Sequence, residues 1–552
     1  MPDGAPPAGY GGIGHGRALK DHRTVVVGAG VGGLVTALQL ACAGVQVTVV
    51  ERAAVPGGKM RRVEAGGASI DSGPTVFTMR WVFEQIFAGA GASLDERLRL
   101  TPLPVLARHA WRDGSRLDLF ADHERSVDAI GDFAGAAEAK RFRAFCWQAR
   151  DVYDALEGPY IRSSRPSLVG MGTSLGMRGM KELLKLGPFT SLASNLVRQF
   201  ADPRLRQLFG RYATYCGSSP WTAPATLLLV AQVEMDGVWT VDGGMHGLAR
   251  AIAALATERG ATFRYDTAVE EILVHGGRAC GVRLAGGERI EADSVVFNGD
   301  VHALASGCLG DAAALSVDRV PHAARSLSAV TWSMHARTRG FPLENHNVFF
   351  DDDYASEFRD IFGAGRLPSK PTVYICAQDR GAQGVDTCGS GPSVAAPTPG
   401  NGGRERLLCL VNAPASGDSH PLETLEIDAC ERRMQALLSH CGLEMEIDPA
   451  STVRTSPNDF ERLFPATGGS LYGRATQGWM ALFKRSSSSS RLPGLYLAGG
   501  SVHPGPGVPM AAMSGQLAAA TLLGHLASTS RSSRVVISGG MSTRSVTTAA
   551  TA

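Results

Sequence analysis

A glycine-rich turn followed by an acidic residue has the residue types and spacing of a nucleotide site. Gly28, Gly30 and Gly33 fit the pattern G-x-G-x-x-G directly after a valine-rich predicted strand. In this pattern the first glycine permits a tight turn, the second lets backbone amides approach a phosphate, and the third allows helix and strand to pack closely. The next predicted strand, Val45–Val50, ends at Glu51, and an acid at that point accepts hydrogen bonds from ribose hydroxyls. Together they predict a dinucleotide site.

Two further segments favour FAD over a nicotinamide as the dinucleotide. Pro56-Gly57-Gly58-Lys59 places paired glycines and a cation where they could support the pyrophosphate from a second side. Near the other end of the chain, Gly499-Gly500 opens a segment that runs to Met510 and precedes a helix-like stretch at 511–526. The N-terminus of that helix is suited to stabilise negative charge on a reduced flavin. The alternative is a glycine-rich turn that only caps the helix.

Composition excludes several other classes of function. The chain has 552 residues, 44% of them hydrophobic, and a formal net charge of +2, which gives no support to nucleic-acid binding. Its ten cysteines include no CxxC pair, so no metal site is predicted and reduced thiols in a cytoplasmic protein are expected. No stretch reaches about 18 uninterrupted apolar residues, the length that a membrane span needs.

The alternation of strand-like and helix-like stretches predicts a discontinuous cofactor domain with other elements inserted into it. The predicted organisation is a flexible tail at 1–22, FAD-binding parts at 23–100, 237–300 and 485–527, substrate-domain parts at 101–121 and 301–484 with a surface loop at 377–406, a helical cap that could face a membrane at 122–236, and a second flexible tail at 528–552.

The closing segment resembles the C-terminal signature of the bacterial carotenoid desaturases, the phytoene-desaturase-like flavoproteins. The signature can be followed through Tyr496-Leu497, Gly499-Gly500-Ser501, His503-Pro504-Gly505 and Gly507-Val508 to Ser514, and it departs from the family pattern at Val502 and Pro506. Gly73-Pro74-Thr75, Gly237-Val238-Trp239 and Gly243-Gly244-Met245 also match positions typical of the family, and the resemblance extends from Thr24 to about Leu526 outside the loop.

This resemblance implies an α/β fold: a Rossmann-like FAD-binding domain of the glutathione-reductase/amine-oxidase type, with an inserted mixed-sheet substrate domain and a helical cap. It implies FAD as cofactor and a lipid-soluble acyclic carotenoid as substrate. The residues then expected to bind FAD are Gly28, Ala29, Gly30, Gly32, Gly33, Glu51, Arg52, Gly58, Lys59, Gly73, Pro74, Thr75, Val269, Gly500, Gly507, Val508 and Met510.

Within the family, residues 72–79 and 502–510 are most similar to the hydroxycarotenoid branch, which includes the 1-hydroxycarotenoid 3,4-desaturases. The resemblance implies removal of two hydrogens across C3–C4 of an acyclic 1-hydroxycarotenoid. Phytoene desaturation is the near alternative, and a flavin amine oxidase-like or protoporphyrinogen-oxidase-like enzyme is a more distant one. A non-catalytic flavin-fold escort for prenyl-type lipids is a third. Quinone and oxygen both stay open as the final electron acceptor.

Two polar residues have competing interpretations. His503 lies in the signature that faces the flavin and could take a proton near neutral pH, or it could only hydrogen-bond backbone in a tight Pro-Gly turn. Asp300 follows a predicted strand, and we expect it to cap the next helix rather than face the substrate.

A lipid-soluble substrate implies that the enzyme works at the inner face of a membrane. Met177, Met180 and Leu184 fall on one face of a predicted helix whose other face is basic, as in helices that lie in a lipid interface. Leu192, Leu196, Val197 and Phe200 form a second stripe at helical spacing. Such stripes more often pack on a protein core, so both interpretations stay open.

Overall fold

The computed structural model describes residues 19–164, 190–380 and 403–532. Its strands, in chain order, are β1 (Arg23–Val27), β2 (Gln46–Val50), β3 (Arg62–Ala65), β4 (Ala68–Asp71), β5 (Leu100–Pro102), β6 (Val105–Trp111), β7 (Arg116–Phe120), β8 (Trp239–Val241), β9 (Thr262–Arg264), β10 (Val269–His275), β11 (Arg278–Leu284), β12 (Arg289–Glu291), β13 (Ser294–Phe297), β14 (Ser328–Gly340), β15 (His346–Phe350), β16 (Val373–Ala377), β17 (Glu405–Ala413), β18 (Leu443–Glu446), β19 (Thr452–Thr455) and β20 (Leu495–Leu497).

The helices, in chain order, are α1 (Val31–Cys42), α2 (Arg80–Gly89), α3 (Leu94–Arg97), α4 (His123–Ala134), α5 (Ala136–Leu156), α6 (Leu192–Gln199), α7 (Pro203–Gly210), α8 (Leu229–Met235), α9 (Met245–Glu258), α10 (Val301–Ala305), α11 (Asp311–Ala314), α12 (Tyr354–Phe358), α13 (Thr424–His440), α14 (Pro457–Leu463) and α15 (Val508–Ser532). None of these described helices is both long and apolar enough to cross a bilayer.

A five-stranded parallel sheet forms the centre of the cofactor half, in the order β20-β13-β1-β2-β9. The strands β20 and β13 are buried throughout and β1 is buried at its centre, as expected inside a parallel sheet, whereas the edge strand β9 is partly exposed. Because the strands run in one direction, their carboxyl ends meet at one edge, where nucleotide ligands bind in open sheets of this kind. That edge carries Gly28, Glu51, Asn298 and Gly499, the residues at or near the ends of four strands.

The first and last helices of the described chain pack directly against each other. A Cβ on Gly515 of α15 would lie 2.3 Å from the carbonyl oxygen of Gly32 in α1, so glycine is required for this close approach. The Thr36 hydroxyl bonds to the carbonyls of both Gly32, at 2.8 Å, and Gly515, at 3.1 Å. The helix α15 continues to Ser532, so the tail that the sequence predicts from residue 528 begins inside this helix.

The substrate half is built on a mixed sheet of eight strands in the order β18-β14-β17-β16-β15-β6-β7, with β19 paired to β14. All neighbouring pairs are antiparallel except β15 and β6. Strand β16 ends at Ala377 and strand β17 begins at Glu405. The first and last residues of the predicted loop at 377–406 therefore belong to the sheet. Residues 381–402 lie outside the described residues.

Helices α4 to α8 form a cap with an aromatic core made by Phe142, Phe145, Phe200 and Phe209, whose rings lie 4.7–6.4 Å apart. Three members of the second predicted stripe, Leu192, Leu196 and Phe200, are each 1% exposed in this core. These three residues are therefore core packing, whereas the fourth member of the stripe, Val197, is 58% exposed. The first stripe, with Met177, Met180 and Leu184, lies outside the described residues.

Candidate cofactor and substrate site

One cavity of about 770 Å³ connects the carboxyl edge of the parallel sheet to the mixed sheet and the helical cap. Its volume falls in the upper part of the range of roughly 300–1,000 Å³ typical of ligand sites. One end is lined by glycines and a carboxylate, and the other is lined mainly by aliphatic and aromatic side chains. The two ends differ in chemistry and are described in turn.

The glycine turn after β1 is fixed by steric requirements. Gly28 has a φ of +98°, which side chains rarely adopt, and a Cβ on Gly33 would lie 2.2 Å from the carbonyl oxygen of Gly28. A Cβ on Gly30 would lie 2.9 Å from the amide nitrogen of the Asn298 side chain. Gly30 also begins α1 without a side-chain cap. The first amides of this helix are thus available to a phosphate.

Glu51 ends β2 at the same edge and is held by backbone amides. Its Oε2 accepts a hydrogen bond from the Ala29 N–H at 2.6 Å, and its Oε1 accepts one from the Ala53 N–H at 2.9 Å. The side chain is 8% exposed and lines the cavity. A carboxylate has about four acceptor positions, so this oriented group retains acceptors for a ligand hydroxyl.

Lys59 lines the cavity and is held by a distant part of the chain. Its Nζ donates a hydrogen bond to the Leu471 carbonyl at 2.6 Å. Burial lowers the pKa of Lys59, and the nearby carboxylate of Asp300 partly offsets that effect. Asp300 itself accepts a hydrogen bond from the His302 N–H at 2.9 Å at the start of α10. The prediction that Asp300 caps this helix is confirmed, but Asp300 also lines the cavity.

The closing segment brings the start of α15 to the same cavity. Gly499 follows β20 and donates its N–H to the Ser514 hydroxyl at 2.7 Å. Gly507 has a φ of +107° and leads directly into the helix at Val508. The amides of its first turn therefore face a second part of the cavity with the positive end of a helix dipole.

The structure places most of the predicted cofactor residues on the cavity wall. Those that line it are Gly28, Gly30, Gly32, Glu51, Arg52, Gly58, Lys59, Gly73, Pro74, Thr75, Val269, Gly500, Gly507, Val508 and Met510. Ala29 and Gly33 lie beneath this surface: Ala29 is fully buried and orients Glu51, and Gly33 makes room for the turn. Their contribution to the site is indirect.

The position of His503 differs from the one that a proton acceptor at the flavin would need. Its side chain is 2% exposed, and its ring packs edge-on against Tyr160 at 4.9 Å. Burial lowers the pKa of His503 to about 4, although backbone hydrogen bonds to Tyr160 and Ser163 oppose this shift. The described residues that line the cavity do not include His503. This buried position away from the cavity wall does not support the role of proton acceptor.

The wide, apolar end of the cavity has the mixed sheet as its floor. Val348, Tyr374, Leu410 and Thr331 occupy one row across β15, β16, β17 and β14, and all four line the cavity. Helical-cap residues form the other wall: Leu156, Tyr160, Ile161, Leu227, Leu229, Val230 and Val233. Such a lining suits a long hydrocarbon.

Sequence reasoning missed three groups of site residues. Asn298 follows β13 directly and donates to the Gly28 carbonyl at 3.2 Å, and its place at a strand end was an available signal. Tyr374 bonds to the Thr75 hydroxyl at 2.6 Å and to His346 Nδ1 at 2.7 Å. No local pattern indicates these contacts, since they join distant parts of the chain.

The third missed group is a buried ion pair on the cavity wall. Arg211 and Glu234 lie 3.5 Å apart and are 6% and 7% exposed. The Glu234 carboxylate accepts hydrogen bonds from the hydroxyls of Tyr212, at 2.8 Å, and Tyr215, at 2.7 Å. Burial next to this carboxylate raises the pKa of both tyrosines. These hydroxyls therefore stay protonated and hold the carboxylate in place.

Comparison with known proteins identifies the class to which this fold and site belong. Residues 31–523 match the family of flavin containing amine oxidoreductases. The chain is 62% identical to a hydroxyneurosporene desaturase of Rubrivivax gelatinosus over 96% of this chain and 98% of the relative. It is 28% identical to a 1-hydroxycarotenoid 3,4-desaturase of Flavobacterium sp. strain P99-3 over 90% of this chain and 98% of the relative.

Among solved structures, an oxidoreductase from Methanosarcina mazei matches with a TM-score of 0.56 at 16% identity, covering 91% of this chain and 100% of that one. The chain belongs to the flavin containing amine oxidoreductases and, within them, to the carotenoid desaturase family. FAD is its cofactor, and the predicted α/β fold with an FAD-binding domain of the amine-oxidase type is confirmed.

Proposed function

We propose that this protein introduces a C3–C4 double bond into acyclic 1-hydroxycarotenoids. The observation that carries the proposal is a single cavity that joins a nucleotide-binding sheet edge to an apolar chamber. The similarity to a hydroxyneurosporene desaturase and to a 1-hydroxycarotenoid 3,4-desaturase supports this choice of substrate and bond. Phytoene desaturation is the alternative.

The residues of the polar end fit the groups of FAD. Glycines at 28, 30 and 32 let the turn approach Asn298 and Gly499 closely, and the pyrophosphate would lie at the free amides of α1 next to this turn. Glu51, oriented by Ala29, would accept hydrogen bonds from the adenosine ribose. Gly73, Pro74 and Thr75 together with the start of α15 would surround the flavin ring.

The reaction removes two hydrogens from adjacent carbons beside a polyene. When bound, FAD supplies a two-electron acceptor that takes one of these hydrogens as a hydride. The second leaves as a proton, and the positive charge between the two events is spread over the conjugated chain. The protein's own contribution is to align the polyene on the row of Val348, Tyr374, Leu410 and Thr331 and to exclude water.

The test is incubation of the FAD-loaded protein with a panel of acyclic carotenoids and separation of the products by chromatography. We expect desaturation of 1-hydroxyneurosporene or 1-hydroxylycopene and little or none of phytoene. A buried site that hydrogen-bonds a hydroxyl discriminates against an analogue without it by up to roughly 10⁴-fold. Efficient turnover of phytoene, with the hydroxylated carotenoids untouched, would support the alternative.

Peripheral association with the cytoplasmic face of a membrane forms part of the proposal. Trp147 on α5 and Val197 on α6 are 64% and 58% exposed. The two helices are neighbours, because the side chains of Gln148 and Gln199 are hydrogen-bonded. Exposed large apolar side chains of this kind suit a lipid interface. They lie on the cap, through which a carotenoid would reach the apolar end of the cavity.

A further inference from the structure

An unpaired hydroxyl lies in the wall of the otherwise apolar part of the cavity. Tyr354 opens α12 and lines the cavity, and its hydroxyl oxygen is buried without a hydrogen bond to any described residue. Its ring is held between Trp221, at 5.7 Å, and Phe358, at 5.1 Å. An unpaired buried hydroxyl is costly, so a ligand group that bonded to it would be favoured.

An amide oxygen of known orientation lies in the same wall. The Asn412 side chain lines the cavity, and its Nδ2 donates to Glu357 Oε1 at 2.8 Å. That bond turns Oδ1 away from Glu357, and this oxygen accepts no hydrogen bond within the described part of the chain. The amide therefore presents an acceptor that its own fold leaves unused.

Glu357 orients Asn412 and lies on the same helix as Tyr354. It lies one helical turn after Tyr354 and is completely buried. Besides Asn412 it accepts hydrogen bonds from the Thr372 hydroxyl, at 2.6 Å, and from the Thr372 N–H, at 3.2 Å. Since Thr372 also lines the cavity, one buried carboxyl positions Thr372 and Asn412 from the same helix that carries Tyr354.

We propose that Tyr354 and Asn412 form the subsite for the alcohol group of the carotenoid and thereby determine the choice of a hydroxylated substrate. An alcohol donates one hydrogen bond and accepts others. The Tyr354 hydroxyl supplies the missing donor, and Asn412 Oδ1 supplies the missing acceptor. This inference rests on the proposed function, whose substrate class it explains.

The position of the subsite suits a hydroxyl on C1. Tyr374, which contacts Thr75, lies in the sheet row that also contains Leu410. Thr372 and Asn412 lie two residues further along the same strands, about 7 Å away at the usual rise per residue. A hydroxyl on C1 is separated from C3 and C4 by only a few bonds. A hydroxyl fixed in this subsite would therefore place C3–C4 close to the row of Tyr374 and Leu410, whose Tyr374 contacts Thr75.

The pair of Arg211 and Glu234 on the cavity wall is less suited to this role. The carboxylate of Glu234 already accepts from two tyrosines and pairs with Arg211. A neutral alcohol would have to compete with these partners for the carboxylate. The Tyr354 and Asn412 group, in contrast, offers one open donor and one open acceptor.

The experiment compares FAD-loaded wild type with Tyr354→Phe, using 1-hydroxyneurosporene and neurosporene as substrates. Loss of one neutral hydrogen bond is expected to lower kcat/KM for 1-hydroxyneurosporene about three- to tenfold, with kcat/KM for neurosporene unchanged or raised. Thermal stability and flavin absorbance should match the wild type, because the hydroxyl has no protein partner to lose. Tyr496→Phe is the matched control, since Tyr496 bonds to His525 and does not line the cavity.

An unchanged preference for the hydroxylated substrate in Tyr354→Phe overturns the subsite. If the wild type desaturates neither carotenoid, the proposed function fails, and the subsite is then judged by binding. Quenching of tryptophan fluorescence by each carotenoid gives the two affinities without turnover. Weaker binding of 1-hydroxyneurosporene alone in Tyr354→Phe supports the subsite, and equal changes for both carotenoids overturn it.

Discussion

Replacing Glu51 by alanine tests the assignment of the FAD ribose site. In the folded chain the carboxylate accepts from the Ala29 N–H at 2.6 Å and from the Ala53 N–H at 2.9 Å. Ala29 is fully buried, whereas Ala53 is exposed. After the substitution, water can accept a hydrogen bond from the Ala53 N–H but cannot reach the Ala29 N–H. The substitution is expected to affect both the stability of the fold and the affinity for FAD.

These two effects have separable magnitudes. An orphaned buried N–H at Ala29 costs about 1–3 kcal/mol of folding free energy. Loss of one hydrogen bond from a ribose hydroxyl to a charged acceptor costs about 1.5–3 kcal/mol of binding free energy, which is about a 10- to 100-fold increase in Kd. Glu51→Gln keeps an oxygen for the Ala29 N–H, so we expect near-normal stability with weakened FAD binding.

The assay is titration of the apoprotein with FAD, followed by quenching of flavin fluorescence, with thermal denaturation of the same samples. Glu64→Ala is the matched control, because Glu64 is an exposed glutamate on β3 and should leave both quantities unchanged. A folded Glu51→Ala protein whose Kd for FAD stays within about threefold of the wild type would remove Glu51 from the site.

Three further outcomes are expected. Gly33→Ala, whose Cβ would lie 2.2 Å from a backbone oxygen, should lower the free energy of unfolding by about 1–3 kcal/mol and reduce bound flavin in absorbance spectra. Gly524→Ala, inside α15 with nothing within 4 Å, should leave bound flavin unchanged and raise the free energy of unfolding by up to about 1 kcal/mol. Burial raises the pKa of Glu357 from 4.5 to about 7. The stabilisation that the protonated Glu357 carboxyl adds to the free energy of unfolding is therefore fully present below pH 4.5 and is lost as the pH rises through 7. Urea denaturation at a series of pH values should show that the free energy of unfolding of the wild type falls by up to about 3 kcal/mol relative to that of Glu357→Gln over this range. Free energies of unfolding that change in parallel with pH in the two proteins would contradict the raised pKa. Replacing Trp147 and Val197 by Gln should release the protein from liposomes in co-sedimentation, and undiminished binding would place membrane contact elsewhere.

The sequence predicts those turns, strand ends and helix caps that depend only on a few neighbouring residues. The turn at Gly28, the acid at Glu51 and the cap at Asp300 each depend on a few neighbouring residues, and their types follow from local backbone geometry and hydrogen bonding. The edge at which they meet also follows, because parallel strands end on the same side.

Groups assembled across the fold gave no such signal. The stripe of Leu192, Leu196 and Phe200 has the same spacing whether it faces lipid or protein, and only the aromatic core of the cap decides between them. Likewise, Tyr354 and Asn412 come from a helix and a strand that are far apart in sequence. Glu357, the buried carboxyl that orients Asn412, lies on the helix of Tyr354, and no local pattern connects it to Asn412.

The contact of α1 with α15 has a consequence for biosynthesis. The glycine turn and Glu51 leave the ribosome early, but the amides at the start of α15 and the packing of Gly515 on Gly32 exist only after nearly the whole chain has been made. Joining such distant segments is slow, because the loop between them must close before the contact stabilises it. During translation the nascent chain therefore carries an incomplete cofactor site with an uncovered apolar helix. Chaperones and free FAD would compete for that surface until the last helix is released.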